Sequence, residues 1–302
     1  MIDILIVNYN CAARLKTLLE TLTQPGIVVA SRRADFRFTV IDNNSHDGSA
    51  AMVEAQFPQV ALIVRAENDG YAAAVNEGIS ATRNREILLL NSDVVLAPAS
   101  VAALARIWER LDFPGIVGPL HREEDAWPQL TWGASPTLAS EKRRRNLDRA
   151  LTRREFWAKQ SVLEEACRTR EVDWISGSCM FFARSTAEDI GPWDQNFFLY
   201  FEDIDWCLRA KAKGYHIFHT SETHITHAHG ASVQNDPDLA EMEYRRSQCY
   251  FTKKHFGAWA LSKCRLYLTR KLIGRWFAGG RSGFSRGTSL SILREIWKKP
   301  GI

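Results

Sequence analysis

Along the first 120 residues the apolar positions come in short blocks separated by helical patterns. Residues 4–7 (Ile4, Leu5, Ile6, Val7) form an unbroken apolar run, the pattern of a strand buried on both faces. Residues 14–22 place leucines at helical spacing, and residues 39–41 close a second strand at Asp42. Residues 49–57 read as a helix, 60–64 as a third strand and 71–81 as a helix. Residues 87–90 form a fourth strand that ends at Asn91-Ser92-Asp93. This alternation predicts an α/β fold with a mostly parallel, doubly wound central sheet flanked by helices. Such sheets bind ligands at the carboxyl ends of their strands. Asn8, Asp42 and Asp93 all fall there.

Beyond residue 120 the pattern weakens. Residues 121–170 show no clear alternation, although Glu141 and the basic run that follows it predict a charged helical insertion. Residues 174–183 read as one strand containing Ser176-Gly177-Ser178. Residues 202–213 form a helix ended by Gly214, and 215–219 and 223–227 read as two further strands. From residue 239 the chain reads as helices separated by a glycine-rich linker at 278–283. The expected division is a catalytic domain over 1–238, with a variable basic insertion at about 121–170, and a basic helical extension over 239–302.

Charge sharpens that division. The chain carries +4 overall, but residues 241–302 hold 14 Lys/Arg against 3 Asp/Glu, which is +11 and leaves −7 for the rest. Such a tail calls for an anionic partner. Leu261, Cys264, Leu268, Leu272 and Trp276 form a helical stripe there, with Arg265 and Arg275 on its apolar side. It reads either as an interfacial helix meeting anionic lipid or as a helix packed on the catalytic domain. No aromatic-interleaved or zinc-ligand motif supports nucleic acid as the partner. Six scattered cysteines without a C-x-x-C pair argue against a disulfide framework. The amino-terminal apolar run is too short for a signal segment, and there is no membrane-spanning stretch. The expected location is the cytoplasm, with the tail able to hold the protein at the inner face of the cell membrane.

Four segments carry chemistry. Asp42 through Ser49 combine a strand-end carboxylate with short turn residues, and Ser49 is placed to cap the next helix. Asn68-Asp69-Gly70-Tyr71 puts a polar loop at a helix start, where backbone N–H groups favour anions. Asp93 emerges from a triple-leucine strand, a suitable place for the Mg²⁺ or Mn²⁺ that a diphosphate leaving group requires. Glu202, Asp203 and Asp205 follow the aromatic run 197–201. An apolar surround raises a carboxylate's pKa and suits it to general-base work, while Asp205 and Arg209 pair at i,i+4. Five histidines crowd 216–229 without the spacing of a closed zinc site, and His227 or His229 could complete a cation site opposite Asp93. A nucleotidyltransferase is the nearest rival on this architecture. Its basic glycine-rich loop is missing, since Asn8-Tyr9-Asn10-Cys11 follows the first strand.

In order and spacing, over roughly residues 1–235, these segments resemble the family 2 glycosyltransferases of GT-A fold, above all their bacterial rhamnosyltransferase-like branch. The likeness rests on Val7-Asn8-Tyr9-Asn10, Asp42-Asn43-Asn44-Ser45, Asn68 to Gly78, Leu90-Asn91-Ser92-Asp93, Gly191-Pro192-Trp193-Asp194, Glu202-Asp203 and His227 with Gly230 and Ser232. The resemblance implies an inverting transfer from a nucleotide-diphospho-sugar, with Asp203 as base and Glu202 orienting it. It implies Asp93 and His227 (His229 as the alternative) as metal ligands. Asn8, Tyr9, Asp42, Asn44, Asn68, Gly70, Asn76, Ser92 and Gly177 are the expected donor-site residues. Asn91 stands where the family's D-x-D pattern has its first acid. That tilts the donor toward dTDP-rhamnose, with UDP-sugars as the alternative, and the expected acceptor is a cell-surface glycan or a lipid-linked glycan precursor.

Overall fold

The computed structural model describes residues 1–23, 36–111, 115–227, 237–277 and 286–298. Strand β1 (Ile2–Asn8) lies between β2 (Phe36–Asp42) and β4 (Glu86–Asn91), parallel to both, and β3 (Ala61–Val64) extends this parallel half beyond β2. Helices α1 (Ala12–Leu22), α2 (Ser49–Gln56) and α3 (Tyr71–Ala81) alternate with these strands as the apolar pattern predicts. The short β5 (Val94–Val95), helix α4 (Pro98–Arg110) and β6 (Gly115–Arg122) follow. The segment 121–170 is more regular than its sequence suggests. After β7 (Trp132–Gly133) it forms α5 (Leu138–Thr152) and α6 (Phe156–Ala166), the former opened by a Thr137–Ser140 capping box.

After β8 (Arg170–Val172), the single strand expected over 174–183 is two, β9 (Trp174–Ile175) and β10 (Cys179–Ala183). The Ser176-Gly177-Ser178 turn separates them, because the Gly177 N–H is donated to the Asp203 carboxylate instead of a neighbouring strand. Helices α7 (Arg184–Ile190) and α8 (Glu202–Ala212) lead to β11 (His216–His227). The two strands expected there are one, whose pairing with β6 shifts register between Thr220 and His224. The full order is β3-β2-β1-β4-β10-β6-β11-β5, with β8 paired to β11, and β10 runs antiparallel to both its neighbours. Strands β7 and β9 form a separate small sheet.

Alternate residues of the central strands feed two cores. Ile4, Ile6, Leu88 and Leu90 face one side, and Leu5, Val7, Leu89 and Phe182 the other. Each fully buried side chain of this kind contributes roughly 1.5–3 kcal/mol relative to exposure. Gly78 shows how tightly α3 sits on β1, since a Cβ there would lie 2.3 Å from Leu5 Cδ1.

Helix α9 (Pro237–Phe277) breaks at Gly257, whose φ is 81° and ψ 179°. Its first half belongs to the main body. Phe251 is buried in the central core, Ser247 Oγ donates to Leu199 O, and Lys254 Nζ reaches Asp194 and Asp205 at 2.6 and 2.7 Å. In its second half Leu261, Cys264, Leu268 and Leu272 are buried against Ile292 and Ile296 of α10 (Arg286–Trp297). The stripe is packed on α10, a partner that neither reading of it named. The Trp276 side chain and the linker at 278–283 lie outside the described residues.

Candidate active site

The carboxyl ends of β1, β2 and β4 gather the first group of residues by register. Asn8 pairs with Asp42, and Val7 with Asn91. Asn8 Nδ2 donates to Asp42 Oδ1 at 2.7 Å, and the Ser45 N–H donates to Asp42 Oδ2 at 2.9 Å. Asn8 and Asp42 are both buried, and Tyr9 and Asn44 are half-buried beside them. Asn10 and Asn44 take left-handed backbone angles (φ 48° and 62°), which asparagine tolerates better than bulky residues. Ser49 does not cap α2. It is the helix's first residue, and Asp47 accepts its N–H at 3.1 Å and that of Ala12 at 2.7 Å. Asp47 therefore ties the two loops together.

A second loop closes over this floor. Buried Asn43 donates to Asn68 Oδ1 at 2.7 Å and to the Gly70 carbonyl at 3.3 Å, and Arg65 Nη1 donates back to Asn43 Oδ1 at 2.7 Å. Arg65 also holds Glu77 at 2.8 Å and Asp69 at 3.3 Å. Neither Asn43 nor Arg65 is among the expected donor residues, though the i,i+4 spacing of Arg65 and Asp69 just after β3 is a legible sign. Gly70 has φ +95°, and a Cβ would lie 2.4 Å from the Phe198 carbonyl oxygen, so only glycine fits. Asn76 spends both ends of its amide on the Trp193 backbone, at 2.9 and 2.8 Å, and so positions the 191–194 segment. Buried Ser92 donates its N–H to Val7 O.

Asp93 and His227 meet across 134 residues because β5 pairs with the end of β11, setting His227 opposite Val94. His227 Nε2 lies 3.2 Å from Asp93 Oδ1. Gln129 stands behind the His227 ring. Its Nε2 donates to the His227 carbonyl at 2.8 Å, which turns Oε1 toward His227 Nδ1 at 3.2 Å. Two cis ligands of a Mg²⁺ or Mn²⁺ ion, each at about 2.1 Å, lie about 3 Å apart, so this pair fits such an ion. Asn91 Oδ1 is buried beside the strand tip without a hydrogen-bond partner. Among the described residues no group of three or more His, Cys, Asp or Glu converges.

His121 flanks the pair, its ring 5.9 Å from that of His227. Its Nδ1 contacts Pro119 O and Thr131 Oγ1, and its Nε2 lies 2.9 Å from Ser178 Oγ. Gln129 and His121 are absent from the expected site, since both belong to the stretch where periodicity is lost. The remaining histidines disperse. His216 pairs with Glu171, and His219 stacks on Trp132, where burial drives its pKa down to about 3 and keeps it neutral. His229, Gly230 and Ser232 lie outside the described residues.

The third group stands at the start of α8. Tyr200 and Phe201 both have positive φ (68° and 69°), a strained approach costing about 1–3 kcal/mol per residue. It delivers Glu202 and Asp203 into an apolar wall. Asp203 accepts the Gly177 N–H at 3.0 Å and the Ile204 N–H at 2.7 Å. Burial raises the Asp203 carboxyl above the usual range despite these two donors. Burial and the adjacent Asp203 charge push Glu202 well above it, and Glu202 Oε2 is buried without a partner. Asp205 is structural as the spacing predicts. Burial alone would raise its pKa, but His255, Lys254 and Arg209 hold it low. Between the two acidic ends stands Tyr71, which donates to the Gly177 carbonyl at 2.9 Å. Burial, with the charges of Glu202, Asp203 and Asp93 around it, raises its pKa well above the ordinary value. Tyr71 belongs to the Asn68–Tyr71 segment singled out in the sequence, but it is not among the expected donor residues.

Comparison with known proteins agrees with this fold. The family model described as glycosyl transferase family 2 matches residues 3–191, and that of glycosyl transferase family group 2 matches residues 135–290. The chain is 26% identical, over 95% of both chains, to the N-acetylglucosaminyl-diphospho-decaprenol L-rhamnosyltransferase of Mycobacterium tuberculosis. It is 27% identical to the low-salt glycan biosynthesis hexosyltransferase Agl10 of Haloferax volcanii, over 72% of this chain and 63% of that one. Among solved structures it resembles the mannosyltransferase PcManGT from Pyrobaculum calidifontis in complex with GDP-Man and Mn²⁺. There the TM-score is 0.57 and the identity 15%, over 97% of this chain and 78% of that one. With strand-end carboxylates, a mostly parallel sheet and these matches, the chain belongs to the family 2 glycosyltransferases and has the GT-A fold.

Proposed function

We propose that this protein is a divalent-cation-dependent, inverting rhamnosyltransferase. Its donor is dTDP-rhamnose and its acceptor a hydroxyl of a sugar carried on a lipid diphosphate. The observation that carries the reading is the Asp93–His227 pair, with Gln129 packed behind the imidazole. The rhamnosyl donor and the lipid-linked acceptor are supported by the name of the Mycobacterium tuberculosis relative and by Asn91 at the strand tip.

Asn8 and Asp42 form the nucleoside floor, and Asp93 and His227 face the donor diphosphate. Asp93 and His227 would hold a Mg²⁺ or Mn²⁺ ion, which would supply positive charge to the departing nucleoside diphosphate. Asp203 accepts the proton of the acceptor hydroxyl as that oxygen attacks the anomeric carbon, and the nucleotide departs from the opposite face. The N–H groups of Gly177 and Ile204 fix the Asp203 carboxylate, burial raises its basicity, and Glu202 stands next to it to orient it.

The test is a panel of nucleotide-diphospho-sugars offered to the purified protein with Mn²⁺, with Mg²⁺ or with chelator. Cation-dependent consumption of dTDP-rhamnose and a product of inverted anomeric configuration by NMR are expected. Turnover of a UDP-sugar alone would move the donor assignment. Indifference to every sugar nucleotide, in turnover and in thermal stabilisation, would refute the reading.

A further inference from the structure

The helical stripe that the sequence offers to a membrane is already used. Leu261, Cys264, Leu268 and Leu272 are no more than 6% exposed, sealed against α10. A helix with one apolar face should then present a polar face to water. The outer face of α9 does not. Trp259 is 73% exposed, Leu266 49%, Tyr267 42% and Ile273 40%. At steps of 7, 8 and 14 residues from Trp259 they lie along one side of the helix, and exposed Lys263 and Arg270 lie among them. Of thirteen large apolar side chains exposed among the described residues, eight are on α9 and α10.

We propose that this outer face of α9, from Trp259 to Ile273, docks on an anionic lipid bilayer. Charge selects the occupant. No Asp or Glu occurs between Glu243 and Glu295, so the surface is cationic without internal neutralisation. A bilayer interface takes leucine and isoleucine into its acyl boundary, tryptophan and tyrosine at the headgroup level, and lysine and arginine against lipid phosphates. Lys263 Nζ already lies 3.2 Å from the centroid of the Trp259 ring, grouping one cation with one aromatic anchor. Nucleic acid would engage the basic groups but leave Leu266 and Ile273 in water. No described helix is long and apolar enough to cross the membrane, so the mode is lateral contact. The docking face stands on α9 alone. Its use, bringing the cleft to a lipid-linked acceptor, rests on the function proposed above.

Co-sedimentation of the full chain with vesicles decides it. Vesicles of phosphatidylcholine mixed with phosphatidylglycerol should retain the protein at low salt, and vesicles of phosphatidylcholine alone should not. K263Q/R270Q should lower the partition coefficient on the order of tenfold, given the known contribution of each basic residue near an anionic surface. W259S/L266S should lower it further and leave the remaining binding more easily removed by salt. These side chains are exposed, so both variants should melt with the unchanged protein. Donor turnover with a soluble acceptor should also stay unchanged, which separates failed docking from failed catalysis. The proposal is overturned if the protein ignores phosphatidylglycerol vesicles, if folded variants bind them as well as the parent, or if only duplex DNA is bound.

Discussion

At the strand-tip end of the cleft, Asp42 accepts from the Asn8 amide and the Ser45 N–H, whereas at the helix end Glu202 keeps one carboxylate oxygen buried with no donor. The strand tips are ordered by parallel register and by short side chains that hydrogen-bond one another, with Asn8 and Asn91 each keeping a buried amide oxygen unpartnered. The helix end is ordered by a strained aromatic turn that holds two acids where water would otherwise solvate them. In the function proposed above, one end receives phosphate and a cation. The other stores unfavourable electrostatics, which is what a base at neutral pH requires. Tyr71 joins them, and its hydroxyl bond to Gly177 links the loop over the donor to the turn that carries Asp203.

That contrast can be broken by substitution. D203N should lower kcat by about 10²–10⁴-fold, the usual worth of a positioned base, while donor affinity measured by calorimetry stays near the parent value. Parallel loss of donor binding would mean that the two ends are not separable. Q129L removes the amide that faces His227 Nδ1 and donates to the His227 carbonyl. A Mn²⁺ titration of activity should then need roughly 10–100-fold more cation, as for other partners of metal-bound histidines. An unchanged titration would leave Gln129 a merely structural residue. G70A forces a Cβ against the Phe198 carbonyl and strains a positive φ. It should cost about 1–3 kcal/mol in thermal or chemical unfolding, because it wedges the donor loop away from the base turn.

The smallest effect is on pH. Because burial raises both Asp203 and Glu202, the acid limb of kcat/KM should lie above the ordinary carboxylate value of about 4. The sign for stability runs with it. A carboxylate whose folded pKa is raised favours the native state fully below its unfolded pKa, and that contribution is lost as pH rises through the folded value. The ionised pair therefore weighs against stability at neutral pH. A limb at the ordinary carboxylate value would mean that the aromatic wall leaves the pair solvated.

The two halves of the molecule also differ in how much of them could be read in advance. The first half is legible because local rules agree there. Unbroken apolar runs such as Ile4 to Val7 and Leu88 to Leu90 are what two-sided burial demands, and strand-end carboxylates follow directly from them. Asp205 and Arg209 are legible too, since helical spacing alone brings them together. Beyond residue 120 local rules conflict. β10 runs antiparallel between two strands distant in sequence, and β11 changes register partway along its length, so neither shows a clean period.

From the chain alone come the alternating sheet, the family's motifs and the nomination of Asp93, Asp203 and His227. Tertiary structure decided which atoms meet. β5 against β11 set His227 beside Asp93, Gln129 came to face its Nδ1, and α10 covered the stripe that periodicity left open between lipid and the catalytic domain. The physical reason is range. Periodicity and capping act over a few residues, whereas ligand pairs, buried charges and covered faces depend on contacts between segments the chain separates widely.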